Sequence, residues 1–406
     1  MFAKNIIFCL LIVVCLIFAM TAHAREIGHT SVTFTDSARS RQIPAEIYYP
    51  AETAGRNVPV GEPDENGFPI ISFGHGYLMP WSVYANIWTV LVPAGYIVCL
   101  PRTGGELFPD HEEFGLDLAY VIRALQAEGA DSSSIFHEKT GQTSAVMGHS
   151  MGGGASVLAA SSDSTITALA NLAAAETNPS AIEAAKATDI PALLFAGSDD
   201  CVTPPEAHQI PLYNALASDC KTLVILTGGS HCQFAAYHLT CNLGESGCPG
   251  PGINRAEQHA LVARFLLPWL AAMLKKDSEA WDTFESLLED GQGITSAHTC
   301  RTVSPAPETP QTDMPSLFRC RFYPNPFNSQ TTIEYHLPQK GTTSVRIYNS
   351  QGQCVWRQDP GAQSTGTHRL NWAGIDRNGH RLPSGYYICQ LRWNGTIHSA
   401  RLILLK

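Results

Sequence analysis

Six short apolar runs, at residues 69–73, 96–100, 144–147, 166–172, 191–196 and 222–226, are separated by longer stretches with helical spacing. Apolar runs of this kind joined by helices read as strands of a parallel sheet, because crossover helices cover both faces and leave no polar side. Helical patterns at 117–125, 153–161 and 257–276 are the clearest coverings, and Lys275 and Lys276 close the last one with the positive charge a helix C-terminus favours. Residues 25–300 are thereby restricted to the α/β class with a mostly parallel sheet. Ligands meet such a sheet at the carboxyl ends of its strands.

The chain opens with Lys4, an apolar run from 6 to 20, and Ala22-His23-Ala24. This pattern predicts a secretory signal peptide over residues 1–24. The run is short for a membrane span and no Lys/Arg cluster follows it, so no span is expected in the mature form. Ten of the twelve cysteines lie beyond Ala24, and an oxidising destination predicts several disulfides among them. Spacing favours Cys241 with Cys248, since "CNLGESGC" is a short glycine-containing loop that costs little entropy to close. It leaves the other pairings open.

Charge divides the chain. Residues 25–300 carry thirteen Lys and Arg against thirty-one Asp and Glu, whereas residues 301–406 carry twelve against five. Two separately built units are expected, and the acidity of the first argues against nucleic acid as its substrate. Between them "RTVSPAPETPQTDMPS" holds four prolines, which predicts an extended, semi-rigid linker over 301–318.

Within the first unit, "GHSMG" at 148–152 fits the G-x-S-x-G pattern, with the strand "SAVM" before it and the helical "GGGASVLAAS" after it. A strand, tight turn and helix in that order present a serine at the sheet edge as a nucleophile, here Ser150. A serine hydroxyl needs a base to take its proton and a carboxylate to orient that base. His231 in "GGSHCQF" follows the run 222–226, whereas His208 and His238 have no such strand before them, and His149 is expected to pack. The acid belongs to "GSDDCVTPP" after the run 191–196. Asp200 is favoured over its neighbour Asp199, because Asp200-Cys201-Val202-Thr203-Pro204 resembles the usual form of this loop in hydrolases with such a serine turn. A tetrahedral intermediate also needs two backbone donors: Met151, directly after the nucleophile, and Tyr77 in "FGHGYLMPW", with Gly76 as the alternative. Tyr77, Met79, Trp81 and Trp88 could form an apolar binding wall, or they could be ordinary packing residues.

The order Ser150, Asp200, His231, together with "GHSMGGG" and "HGY", resembles the secreted α/β hydrolases that include cutinases, polyester (PET) hydrolases and chlorophyllase- or dienelactone-hydrolase-like enzymes. The resemblance covers roughly residues 40–275 and implies the α/β-hydrolase fold and ester hydrolysis through an acyl-enzyme. It also implies a bridge between the acid and histidine loops, Cys201 with Cys232, with Cys220 as a competing partner. His75 stands where many polyester hydrolases have proline, a form closer to the chlorophyllase-like enzymes. Only about eighteen residues separate Leu172 from Pro191, too few for the cap domain of many lipases. An open site suited to bulky, polymeric or lipid esters is therefore expected.

From residue 319 onward, alternating runs at 331–337, 344–348, 368–372 and 386–393 predict a small all-β, Ig-like sandwich. "YPNPF", "YNSQGQ", "LPSGYY" and the final "LILLK" resemble the C-terminal sorting domain of proteins exported by the type IX secretion system. That resemblance implies the export machinery as a partner, passage through the periplasm of a Gram-negative bacterium, and a secreted or cell-surface protein. A carbohydrate-binding module of the same fold is the alternative. No histidine or cysteine spacing suits a metal and no phosphate loop is present, so neither metal nor cofactor is expected. The expected activity is a serine carboxylic-ester hydrolase. An acyltransferase or peptidase on the same residues, or a non-catalytic surface-binding protein, remains open.

Overall fold

The computed structural model describes residues 25–300 and 319–405, apart from 326, 338, 350, 351, 378, 394 and 395. The expected signal peptide and linker, 1–24 and 301–318, lie outside the described residues. The first unit begins with β1 (Glu26–Asp36), β2 (Arg41–Ala51) and the two-residue β3 (Gly55–Arg56). There follow β4 (Phe68–Gly74), α1 (Ala85–Leu91), β5 (Ile97–Pro101), α2 (His111–Glu128), β6 (Thr140–His149), α3 (Met151–Ser162), β7 (Ala168–Leu172) and α4 (Ala181–Ala185). The unit continues through β8 (Ala192–Gly197), α5 (Gln209–Ala215), β9 (Cys220–Leu226), α6 (Leu239–Gly244), α7 (Arg255–Lys275), α8 (Ser278–Asp290) and β10 (Ile294–Cys300).

The strands form one sheet in the order β10-β9-β8-β7-β6-β4-β5-β2-β1-β3. The six apolar runs are β4 to β9, and every pairing among them is parallel. The flanking β1, β2 and β10 pair antiparallel. They escape a reading based on apolar runs because β1 and β10 are only partly buried and carry polar residues between apolar ones. Successive side chains of each central strand point to opposite faces. Ile70, Ile97, Val146, Leu194 and Leu223 pack under α2 to α5. Their neighbours Ile71, Val98, Met147, Leu193 and Val224 pack under α1, α7 and α8. This mixed sheet with helices on both faces fits the expected α/β-hydrolase class.

The second unit comprises β11 (Arg319–Tyr323), β12 (Thr331–Leu337), β13 (Gly341–Asn349), β14 (Cys354–Gln363), β15 (Gly366–Trp372), β16 (Gly385–Trp393) and β17 (Thr396–Leu404). They make two antiparallel sheets, β11-β12-β15 and β14-β13-β16-β17, which share a core of Ile333, Tyr335, Val345, Ile347, Trp372 and Leu391. This is the small β-sandwich expected. β14 is hidden in the sequence because Pro360 and Gly361 interrupt it, and the structure absorbs them at an irregular pairing with β13.

The cysteine pairing differs from expectation. The bonds are Cys201–Cys248, Cys232–Cys241 and Cys220–Cys300, so neither Cys241–Cys248 nor Cys201–Cys232 forms. The loop between 241 and 248 is not a free turn. Helix α6 occupies its first half and seats Cys241 against Cys232 beside His231, while Cys248 lies past the helix end and reaches Cys201 beside Asp200. Local loop entropy favoured the short ring, but helix geometry separates its two ends. The acid and histidine loops are still tied together, through the 241–248 segment instead of directly.

Cys220 and Cys300 occupy paired positions on β9 and β10, so their bond fixes the edge strand that ends the first unit. Replacing both by Ser should lower the unfolding free energy by about 2–4 kcal/mol in denaturant titration, with β10 amides exchanging first. An unchanged midpoint would count against this anchoring role.

Candidate active site

β6 runs straight into Ser150, which adopts φ 55° and ψ −119°, a conformation rare for a residue with a side chain. The strain is held by bonds on both sides: Ser150 N donates to Leu172 O at 3.0 Å, and Ala175 N donates to Ser150 O at 2.9 Å. The flanking glycines serve close approach. A Cβ on Gly148 would collide with the Gly152 backbone, and one on Gly152 with the Gly74 backbone at the end of β4. The first turn of α3 therefore rests directly against the loop that follows β4. Met151 opens α3, where the first N–H groups have no partner within the helix.

The acid and histidine loops leave β8 and β9 at the same carboxyl edge of the sheet. His231 Nδ1 lies 2.8 Å from Asp200 Oδ2, with both side chains buried. Asp200 Oδ1 accepts from Val202 N at 2.9 Å and Thr203 N at 2.7 Å, while Thr203 Oγ1 donates to Oδ2 at 2.9 Å. A carboxylate so surrounded turns the Nδ1 side of His231 toward itself, an arrangement in which Nε2 can act as a base. Asp199 turns away, its carboxylate accepting from Ser198 Oγ and Gly252 N. Of the other histidines weighed, His208 is engaged by Glu176 N at 3.0 Å. His149, next to Ser150, packs its ring 4.7 Å from that of His231, which brings the serine turn and the histidine loop together.

Helix α7 holds the His231 loop from outside the site. Gln258 Oε1 accepts from Ser230 N at 2.9 Å and its Nε2 donates to Ser230 O at 2.8 Å, while Arg255 donates to the carbonyls of Cys232 and Ala235. Neither residue carries a sequence signal, because each is defined by what it meets across the fold. Thr203 was legible in principle: a Thr three residues after an Asp often closes this kind of turn.

On the β4 loop, Gly76 N donates to Tyr84 Oη at 2.8 Å, which commits the alternative donor. The Tyr77 side chain is 44% exposed, and its hydroxyl donates to Leu107 O at 2.8 Å. His75, in the place of proline, brings its Nε2 within 2.9 Å of Thr103 O. The proposed apolar wall is largely interior. Trp88 is buried and stacks on Tyr48 at 4.3 Å, Trp81 is half-buried against both, and Met79 is buried. Trp81 and Trp88 thus pack with Tyr48 of β2. Among the described residues, no group of three His, Cys, Asp or Glu could hold a metal ion, and no helix is long and apolar enough to cross a membrane.

Residues 23–247, more than half of the chain, match the PETase family, whose members are PET hydrolase-like. The chain belongs to the PET hydrolase-like family. This PET hydrolase-like chain is also 27% identical over 187 residues to cutinase est1 of Thermobifida alba, across 46% of its own length and 56% of the relative's. Residues 327–394 match the FlgD Ig-like domain.

Burial, and the nearness of His231, hold His149 of this PET hydrolase-like protein well below the ordinary histidine value of 6.5, so it is neutral. His208 and His259 are lowered as well, chiefly by burial. A histidine that is harder to protonate when folded stabilises the fold fully above its ordinary value, and this stability is lost as pH falls through 6.5. Calorimetry of the full chain should show Tm falling as pH is lowered from about 7.5 to about 5.5. A Tm that is flat or rising over that interval would contradict the assignment of these histidines as neutral.

Proposed function

We propose that this chain is a secreted serine carboxylic-ester hydrolase working through an acyl-enzyme on Ser150. The observation that carries the reading is the buried Asp200–His231 pair at the same sheet edge as the strained Ser150 turn. In the proposed cycle, His231 Nε2 takes the Ser150 proton as Oγ attacks the ester carbonyl. The N–H groups of Tyr77 and Met151 receive the developing oxyanion, and His231 returns the proton to the departing alkoxide. A water molecule, deprotonated by His231, then attacks the acyl-enzyme and releases the acid together with Ser150.

The substrate class proposed is a bulky ester, polymeric or lipid. Between β7 and β8 the chain forms only the short α4, which supports a site with no cap domain. Apolar side chains are exposed on the loops that follow β4, β5, β8 and β9: Tyr77, Leu107, Phe108, Val202, Tyr237 and Leu239. Large apolar groups left in water at one edge suit a surface that receives an apolar chain.

Ser150→Ala should reduce hydrolysis of a soluble nitrophenyl ester to a small residue of the parent rate. Asp200→Asn should cost about four orders of magnitude and Asp199→Asn little. Activity of Ser150→Ala within about tenfold of the parent would remove the nucleophile from the proposal, since triad losses elsewhere are far larger. A reversal of the two aspartates would move the acid by one position.

For the second unit we propose an export address recognised by type IX machinery, supported by its positive charge, its terminal "LILLK" and its Ig-like fold. Every residue assigned to chemistry precedes residue 301. A protein of residues 25–300 should keep its rate on a soluble ester, whereas export from a host with that machinery should require the tail. Normal export without the tail would refute the address. A selective loss on insoluble polyester would instead assign the sandwich to polymer binding.

A further inference from the structure

Behind the proposed site, a chain of hydrogen bonds joins the oxyanion loop to the histidine loop through two wholly buried side chains, Tyr84 and His149. Gly76 N lies 2.8 Å from Tyr84 Oη, Tyr84 Oη 2.9 Å from His149 Nδ1, and His149 Nε2 3.2 Å from the carbonyl oxygen of His231. Every proton along this chain can be assigned. A carbonyl oxygen only accepts, so His149 Nε2 carries a hydrogen. The ring is neutral, so Nδ1 is bare and accepts from the Tyr84 hydroxyl. The Tyr84 oxygen in turn accepts from Gly76 N–H.

We propose that Tyr84 and His149 are positioning residues that set the Tyr77 donor and the His231 base in register with one another. The inference rests on the acyl-enzyme reading above. Tyr84 fixes the peptide immediately before the one that bears Tyr77 N–H. That second peptide is held at its carbonyl, Gly76 O, by Met79 N at 3.0 Å, with His75 Nδ1 2.9 Å away. At the other end, the His149 bond and ring contact fix the backbone from which the His231 imidazole projects. Phe73 and Phe234 pack against the pair, and Met79 Sδ, 3.4 Å from Tyr84 Oη, is a longer and weaker alternative acceptor than His149 Nδ1 at 2.9 Å. A buried, paired chain favours one arrangement, and it places two loops from opposite sides of Ser150 in a fixed relation. No local sequence pattern marks Tyr84, which closes a single turn, Trp81–Tyr84, before α1.

The relay acts on the transition state, because the oxyanion forms only after attack. Its loss should lower kcat with little change in KM. In the full-length protein, Tyr84→Phe removes the hydroxyl and keeps the ring. Its kcat on a soluble nitrophenyl ester, counted per site titrated with an organophosphonate, should fall about 10- to 100-fold, less than or equal to the loss of an oxyanion donor itself. KM should stay within about twofold. His149→Phe should behave alike, and the double variant should be no slower than the worse single one, since the links act as a unit. A Tyr84→Phe enzyme within about twofold of parental kcat, or additive losses in the double variant, would overturn the proposal. The unaltered protein gives a second measurement that needs no variant to fold. With 15N-labelled imidazoles at neutral pH, His149 should report the neutral ring with hydrogen on Nε2, and a hydrogen on Nδ1 would overturn the relay. If Ser150→Ala retains activity, the acyl-enzyme reading itself fails. If Ser150→Ala is inactive while Tyr84→Phe is unimpaired, only the relay fails.

Discussion

The backbone contact of Gly152 with Gly74 is the constraint on which the site depends. With no side chain on either residue, α3 begins against the end of β4, and the turn at Ser150 is compressed between them. One close approach thus accompanies both the positive φ of Ser150 and the nearness of the loop after β4. A methyl group on Gly152 would collide with the Gly74 backbone and push the two segments apart by more than the tolerance of a hydrogen bond, whereas one on Gly74 would meet Gly152 at 3.0 Å, a milder crowding. The strain at Ser150 persists because the strands around it are buried on both faces and cannot yield.

A second layer of order acts on the loops rather than on the sheet. Asp200 and His231 each stand directly before a bonded cysteine, and both bonds converge on the 241–248 segment. Gln258 and Arg255 grip the same loop from α7. The imidazole is therefore oriented by its carboxylate and its backbone is held independently of it. The same logic applies to the acid: two backbone N–H groups and a threonine hydroxyl hold the Asp200 carboxylate in place.

The sequence carried the central sheet well because β4 to β9 are apolar on both faces, and an unbroken apolar run is a strong signal. It carried the edges poorly. β10 reads "ITSAHTC", half polar, and becomes a strand because β9 offers it a row of unpaired backbone groups and Cys220 offers it a bond. Trp81 and Trp88 show the converse difficulty. Aromatic residues near a binding loop look like a wall in one dimension, but Tyr48 from β2 covers them in three.

The sequence by itself determined the parallel α/β core, the turn around Ser150, and the order in which Ser150, Asp200 and His231 follow their strands. Each of these is local: a strand, a turn and a residue within a few positions of one another, governed by backbone sterics and side-chain periodicity. Only the tertiary structure decided the cysteine partners, the engagement of Gly76 N by Tyr84, and the link from Gly76 through Tyr84 and His149 to His231. Those depend on which groups meet after the chain has crossed the sheet several times. In the linear sequence Tyr84 and His149 are separated by 65 positions. Their bond follows from the packing of the Trp81–Tyr84 turn against the end of β6, a fact that no spacing rule encodes.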